Sequence, residues 1–588
     1  MQLRKKIFIC LGLIISLFVF PLFSSDGNSN ENLQKIYQTN STEFSLLRNL
    51  TIELGMSAPS SSGPWSGAEL QAMLDRIASE PLSTEQRTVY DWLCEKLFSV
   101  GYARNNPDFN FAGTPEATAE IYAHTHSGID YDEDTEWIEG YKDRAPLISI
   151  PFEMWGTNLM YGFIDLPLRN NRFYTGTSSS TGFFGPPVTT NLIFDKTSKN
   201  VDLSFPWRAF ISLGDQTWNF QFGRDKISWG NGVSGNLVID DNLNFHEFVK
   251  FKTFYEPFTY TFLAVSFPHP ESYQRPPLLP DLETWELDQT TNNIRTFIAH
   301  RFEFQLAQKL RLSLTESIMY QGKTYDFRFF SPFVILHNYY MLANSNSIMS
   351  LEIDYTPLPT LLLHSQFVID DLTTGDESSN AQPDAWGVLA SLHYAKIFKK
   401  ISFHAVLEGA YTTPYLYLRN SRVFDGLDPS ADAIFKDQQA QPINFIVGYP
   451  QYTQGAGNVV HKEFLGYRYG GDAIVGTFLG ELIKLDDWKL SGNLFWMMHG
   501  VFDTDTLYEL GALPVSAQTP TSQSPSNITD KNSIETTFFA SINGTKFIGK
   551  HFTLSAHLGW ITKWNPGNIR TVEPVSDWQG RLGFTVAL

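Results

Sequence analysis

The sequence predicts an all-β fold, a transmembrane antiparallel up-and-down β-barrel preceded by a small N-terminal α-helical periplasmic domain. Three observations predict it. Aromatic residues make up 15% of the chain, with 47 Phe, 25 Tyr and 14 Trp, while charged residues reach only 18%, below the roughly 25% of soluble domains. Mean hydropathy is −0.19, and beyond the N-terminus no apolar run approaches about 20 residues, which excludes a bundle of membrane-spanning helices. From about Pro146 onward, segments of alternating hydrophobicity are joined by connections that are short and long in turn, as periplasmic turns and extracellular loops are in a barrel.

At the N-terminus Arg4, Lys5 and Lys6 precede an apolar run over residues 7–23, followed by Ser24 and Ser25. Residues 1–25 therefore read as a secretory signal peptide. Cys10 lies within it, so Cys94 is the one cysteine of the exported chain and no intramolecular disulfide is expected. Loss of the three basic residues takes the formal charge from −19 to −22. Nucleic acid is thereby an unfavourable partner.

Residues 26–105 read as the periplasmic helical domain. Ser66 with Glu69 forms a capping box ahead of Leu70, Met73, Leu74 and Ile77 at helical spacing, and Pro81 ends that helix. Ser83 with Gln86 forms a second box before Val89, Trp92, Leu93 and Leu97, with Gly101 as the expected C-cap. Each helix carries one apolar stripe that must pack on something. Residues 106–145 read as a connecting segment, in which His124 and His126 near Asp130, Asp132, Glu133 and Asp134 are better explained as a solvated loop than as a metal site.

Residues 146–588 read as the barrel. In its closing strand Leu582, Phe584, Val586 and Leu588 alternate with Arg581, Gly583, Thr585 and Ala587. Met349, Leu351, Ile353 and Tyr355 alternate with Ser350, Glu352, Asp354 and Thr356, and after the turn at Pro357 to Pro359 the partner strand sets His364 and Gln366 on the polar side. The same holds for Phe302 to Leu306 with Leu310 to Leu314, whose other face carries Arg301, Glu303 and Arg311. It holds again for Ser402, His404 and Glu408, and for Ser491, Asn493 and His499. The polar rows mix both signs with Ser, Asn, His and Gly, which suits an enclosed lumen better than the Lys- and Glu-rich outside of a soluble sandwich. Spans of about 9–11 residues count to roughly 16 to 18 strands.

One stretch departs from the pattern. From Gly223 to Asp240 four glycines fall within 13 residues around Trp229, which calls for backbone conformations that Cβ-bearing residues resist. The pieces Gly223-Arg224, Trp229-Gly230-Asn231-Gly232 and Gly235-Asn236-Leu237 resemble the Wzi family of outer-membrane capsule-assembly proteins, and Leu47-Arg48, Leu54-Gly55 and Pro64-Trp65 resemble that family's leader into its helical bundle. The resemblance implies a barrel of about 18 strands with a periplasmic helical bundle, occluded rather than open. It implies a lectin that binds surface or capsular polysaccharide and attaches it at the outer membrane, with no enzymatic activity, no cofactor and no metal. Arg224, Asp225, Trp229, Gly230, Gly232 and Gly235 are the motif residues, placed either at the glycan or in the local fold. Tyr and Trp can stack on sugars, so Trp285, Tyr325, Trp386, Tyr415, Tyr417, Tyr449, Tyr452 and Trp564 are loop candidates, although an interfacial aromatic girdle has first claim on them. The partners implied are surface polysaccharide and outer-membrane lipid around a monomer.

Two rival classes differ by observable features. A porin or substrate-specific channel would leave Lys250, Lys252, Arg301, Glu303, Glu352 and Asp354 lining an open lumen rather than paired. A hydrolase would need a hydroxyl, an imidazole and an orienting group in reach of one another, yet the nearest candidates, His364 and Ser365, are strand neighbours and point to opposite faces.

Overall fold

Period-two alternation builds most of the chain into one antiparallel sheet of 22 strand segments. The computed structural model describes residues 32–97, 103–104, 109–126, 138–156, 158–170, 188–193, 201–202, 206–268, 273–274, 285–287, 294–322, 324–332, 334–339, 345–372, 384–418, 443–453, 457–502, 504 and 534–587. The signal peptide, Gly101 and Asp130 to Asp134 lie outside these residues. Within the sheet each main strand pairs with the next in the chain, from Pro151–Gly156 and Met160–Asp165 through Ile294–Ala307, Leu310–Gly322, Ser345–Leu358 and Leu361–Asp371 to Phe552–Trp564 and Val575–Ala587. The expected turn at Pro357 to Pro359 joins strand neighbours, and so do the short connections at Ala307 to Lys309, Phe398 to Lys400, Leu485 to Asp487 and Ile548 to Lys550.

The last strand pairs with Glu116–His124, Gln579 opposite His124 and Ala587 opposite Glu116. The sheet therefore begins earlier than residue 146. Residues 110–124, read from sequence as connecting segment, supply Asn110–Gly113 and Glu116–His124, which pair with Pro151–Gly156 and Ile148–Ser149 in one continuous register. Their alternation is weak because the face opposite Glu120, Tyr122 and His124 carries Ala117, Ala119 and Ala123 around Ile121, its one large apolar side chain.

Which face is exposed is the inverse of a soluble sheet. Leu363, Leu392, Leu407, Leu494, Leu558 and Leu582 are exposed, while Lys250, Lys252, Arg301, Glu303, Glu352 and Asp354 are at most 1% exposed. A surface of leucine around a buried row of charges is stable in lipid and not in water.

Three helices lie at the tight-turn end: α1 (Thr42–Leu54), α2 (Gly67–Ala78) and α3 (Thr84–Leu97). The Ser66 Oγ accepts from the Glu69 amide, and Ser83 and Gln86 exchange both bonds of their box. Their stripes meet: Leu47, Leu50, Leu70, Leu74, Ile77, Val89, Leu93 and Leu97 share a core with Ile397 and Ile483 of the sheet. Helix α1 has no clean stripe because Asn49, Thr51 and Glu53 are buried along with its leucines, and a helix buried all round shows no amphipathic period. Glu53 explains its own burial by accepting from the Ile397 amide at 2.8 Å and from Lys396. Gly55, left-handed at φ 72°, ends α1 with its amide on the Ile52 carbonyl.

Candidate functional site

After Gly55 the chain turns into the face bearing the buried charges, and residues 57–65 run among them. The Ser57 amide bonds the Gln308 carbonyl at the turn, and Arg311 Nε donates to the Ala58 carbonyl at 2.9 Å. Further in, Lys252 Nζ donates to Ser60 Oγ at 3.0 Å and to the Ser62 carbonyl at 3.1 Å, Lys250 donates to the Pro64 carbonyl, and Arg301 donates to Ser61 Oγ at 2.7 Å. Four cations that look like channel lining in the sequence are thus taken up by one threaded segment.

Acids complete the neutralisation. Arg301 bridges Glu303 at 2.7 Å and Glu352 at 3.1 Å, Arg311 reaches Glu303 at 3.2 Å, and Lys252 pairs with Glu69 of α2. Burial pushes the Glu69 carboxyl up, and Lys252 opposes that push. Pairs buried this deeply need further hydrogen bonds to hold them, which Ser60, Ser61 and the Ser62 carbonyl supply to the cations. Glu352, Asp354 and His364 come close enough to share a cation. Glu352 is already held by Arg301, Ser61 and Gln366, and Asp354 by His364 at 2.8 Å and Asn231 at 3.2 Å, so the geometry is that of an ion-pair network.

The glycine-rich stretch meets the threaded segment from the other side. Ser228–Trp229 pairs antiparallel with Ser62–Gly63, and the Gly230 amide bonds the Ser61 carbonyl at 3.0 Å. Glu408 receives three donors from its tip, the Val233 amide at 2.9 Å, the Ser234 amide at 2.7 Å and the Ser234 hydroxyl at 2.6 Å. Gln366 clamps its waist, donating to the Trp229 carbonyl at 2.9 Å and accepting from the Leu237 amide at 3.0 Å. Asp240, pushed up by burial, is held by Arg468 at 3.1 Å. Glycine is required where the packing is closest. Gly230 has φ 135°, and a Cβ there would stand 2.0 Å from Gln366 Nε2; one at Gly232 would stand 2.2 Å from the Gly235 carbonyl.

The six motif residues are thereby brought together, five of them in the interior. Trp229 is fully buried, in the same core as Leu237, Ile239, Phe297 and Tyr467, with the Arg301 guanidinium 5.9 Å from its ring centroid. Asp225 is fully buried against Arg208 at 2.8 Å. Gly230, Gly232 and Gly235 serve the close packing just described. Arg224 alone faces outward, over the Phe245 ring at 3.9 Å and paired with Glu247.

Of the aromatic candidates, Tyr417 is fully buried and donates to the Leu237 carbonyl at 2.6 Å, and Tyr415 is buried too. The Trp386 ring lies tilted against those of Tyr411 and Phe367 on neighbouring strands, at 5.2 and 6.1 Å, and Trp564 and Tyr325 are exposed. The side chains of Trp285, Tyr449 and Tyr452 lie outside the description. His364 is buried on the inner face beside Asp354 while Ser365 occupies the other face, so the two do not form a nucleophilic pair. What the sequence could not signal is that Glu408 and Gln366, far along the chain, hold the glycine-rich loop.

No family model and no curated protein matches the sequence. Among solved structures, the fold is similar to that of Wzi of Escherichia coli, an outer-membrane protein involved in group 1 capsule assembly and a carbohydrate-binding β-barrel. The TM-score is 0.54 at 13% identity, over 94% of this chain and 98% of that one. Weaker likeness, too low to carry an argument, extends to the outer-membrane channel DcaP of Acinetobacter baumannii (TM-score 0.35, 8% identity, 83% of this chain and 100% of that one). It extends equally to OccD3 of Pseudomonas aeruginosa (TM-score 0.35, 8% identity, 81% and 91%). The architecture is that of bacterial outer-membrane β-barrel proteins.

Proposed function

We propose that this chain is an occluded outer-membrane β-barrel that binds surface or capsular polysaccharide and helps attach or assemble it at the cell surface, without enzymatic activity. In this reading the sheet closes into eighteen strands. That count sets aside the short segments Ala103–Arg104 and Val188–Thr190 and joins the two interrupted strand pairs of the 22. The helices occupy the periplasmic, tight-turn side.

The observation that carries the reading is that two stretches of the chain itself cross the inner face of the sheet. Residues 57–65 and 226–240 consume the lysines, arginines and carboxylates that a channel would present to solutes. A barrel that conducts nothing but keeps large outer loops is suited to holding a ligand at the surface. The fold likeness to a carbohydrate-binding barrel, across both helical and sheet regions, supports the same reading. Asp225 and Trp229, both buried, and the three closely packed motif glycines act in it by fixing the interior loop, and the glycan contacts fall to surface loops.

The test pairs two measurements on purified protein. Binding to the producing cell's own surface polysaccharide, lost when the extracellular loops are shortened, together with silence in planar bilayers is the expected result. Steady conductance without glycan binding overturns the proposal in favour of a channel.

A further inference from the structure

The outer wall carries a feature that a plain barrel lacks. On the strands Phe258–Pro268, Ile294–Ala307, Leu310–Gly322 and Ser345–Leu358 the side chains pointing away from the interior include Tyr260, His300, Glu316 and Ser347. A polar row on a lipid-facing wall is costly if left bare. It is not bare. Residues 324–332 and 334–337, which follow the strand ending at Gly322, fold back over the outside of the sheet.

The contacts are specific. Tyr260 Oη donates to the Pro332 carbonyl at 2.9 Å and lies 2.8 Å from His300 Nδ1. The His337 amide bonds the Glu316 carboxylate. Phe329 and Leu336 are fully buried with Ile298 and Ile318 of the wall, and the Phe329 ring sits 4.9 Å from that of Tyr320. The segment thus satisfies or covers each outward polar group and turns its own apolar side chains outward: Phe327 is 81%, Ile335 58% and Tyr325 48% exposed.

Its depth follows from register. Tyr260 is level with Phe302 and Leu314, and Leu314 is four residues into the strand that starts at Leu310 beside the tight turn. At about 3.4 Å per residue and a tilt of about 40°, that is roughly 10 Å up an apolar band about 25 Å tall. Pro332, bonded to Tyr260, therefore lies within the band and not above it.

We propose that residues 324–332 and 334–337 form a membrane-embedded flap whose outer surface is seated among the acyl chains of the outer-membrane lipid. This rests on the outer-membrane reading above. The occupant is argued from continuity: Phe327, Ile335 and Tyr325 extend the exposed apolar surface of Leu314 and Met349 on the adjoining strands. The flap lets the wall keep an outward-pointing tyrosine and histidine at a depth where bare polar groups are costly against lipid.

The experiment places a nitroxide label at Phe327→Cys, and separately at Leu558→Cys on the bare wall, in the full mature chain carrying Cys94→Ser and reconstituted in phospholipid vesicles. Relaxation by oxygen reports acyl chains, and relaxation by a water-soluble nickel chelate reports solvent. The expected result is that both labels respond to oxygen and lose the response to the chelate. A Phe327→Cys label open to the chelate while Leu558→Cys is not overturns the flap and leaves the membrane reading standing. A Phe327→Cys label shielded from both reagents overturns the lipid occupant in favour of a second protein copy. Chelate access at Leu558→Cys overturns the membrane reading itself.

Discussion

The bonds that fix the interior loop make a measurable claim about Glu408. Substitution Glu408→Ala removes the acceptor of the part-buried Val233 amide, the buried Ser234 amide and the Ser234 hydroxyl, at 2.9, 2.7 and 2.6 Å. A buried donor left without a partner costs about 1–3 kcal/mol; with Ser234 Oγ able to turn to the Tyr467 hydroxyl at 2.9 Å, two amides remain, for roughly 2–6 kcal/mol. At about 1.4 kcal/mol per tenfold, opening of the loop should rise by a factor of roughly 30 to 10⁴. Hydrogen–deuterium exchange in detergent micelles reads this directly as loss of protection over residues 230–237, with strands far from the loop unchanged. Glu408→Gln keeps one acceptor oxygen and should fall between. Planar bilayers should show transient openings for Glu408→Ala against a silent parent. Unchanged protection over residues 230–237 in Glu408→Ala would refute the claim that these bonds hold the loop in place.

Other expectations follow from the same structure. Lys252→Met leaves Glu69 buried without its cation and should destabilise the protein by about 3–5 kcal/mol in urea titrations, with Glu69→Gln in the same chain recovering part of the loss. Leu558→Arg, at the middle of the exposed apolar face, should cost about 2–4 kcal/mol in refolding into vesicles, and a neutral outcome would count against lipid at that position. Cys94, half-buried in α3, should react with a membrane-impermeant maleimide only after the outer membrane of intact cells is permeabilised; labelling of untreated cells would put the helices on the wrong side.

The sheet was legible because alternation is a local signal. Met349 to Thr356 and Leu361 to Asp370 announce both faces and the turn between them in some twenty neighbouring residues, and the structure pairs them in that register. Where one face is mostly alanine, as at Ala117, Ala119 and Ala123 around a single Ile121, the same period carries little amplitude, and the first long strand is not legible. The helix starts at Ser66 and Ser83 were legible because a cap spans four residues, although only Ser83 closes its box and the Glu69 side chain turns to Lys252 instead; α1 was hidden by Asn49, Thr51 and Glu53, which are buried with its leucines. The glycine-rich stretch showed in its composition, since close packing of backbone demands glycine. Its destination did not show, because Glu408, Gln366 and Ser61 meet it across distances in sequence that no local pattern encodes. Whether lumen charges line a pore or pair off is likewise a question of three-dimensional neighbours.

The passage of residues 57–65 through the wall's inner charges ties the fate of the two regions together. Lys250, Lys252, Arg301 and Arg311 find acceptors on a stretch that precedes all of the main strands in the chain. A truncated protein lacking its first 65 residues would have to bury those four cations with fewer acceptors, so α1 and the stretch that follows it are not an accessory that can be clipped off. In the proposed barrel this sets an order of events: the N-terminal stretch would have to lie across the nascent wall before Val575–Ala587 zips to Glu116–His124, since a closed sheet leaves no side door for it.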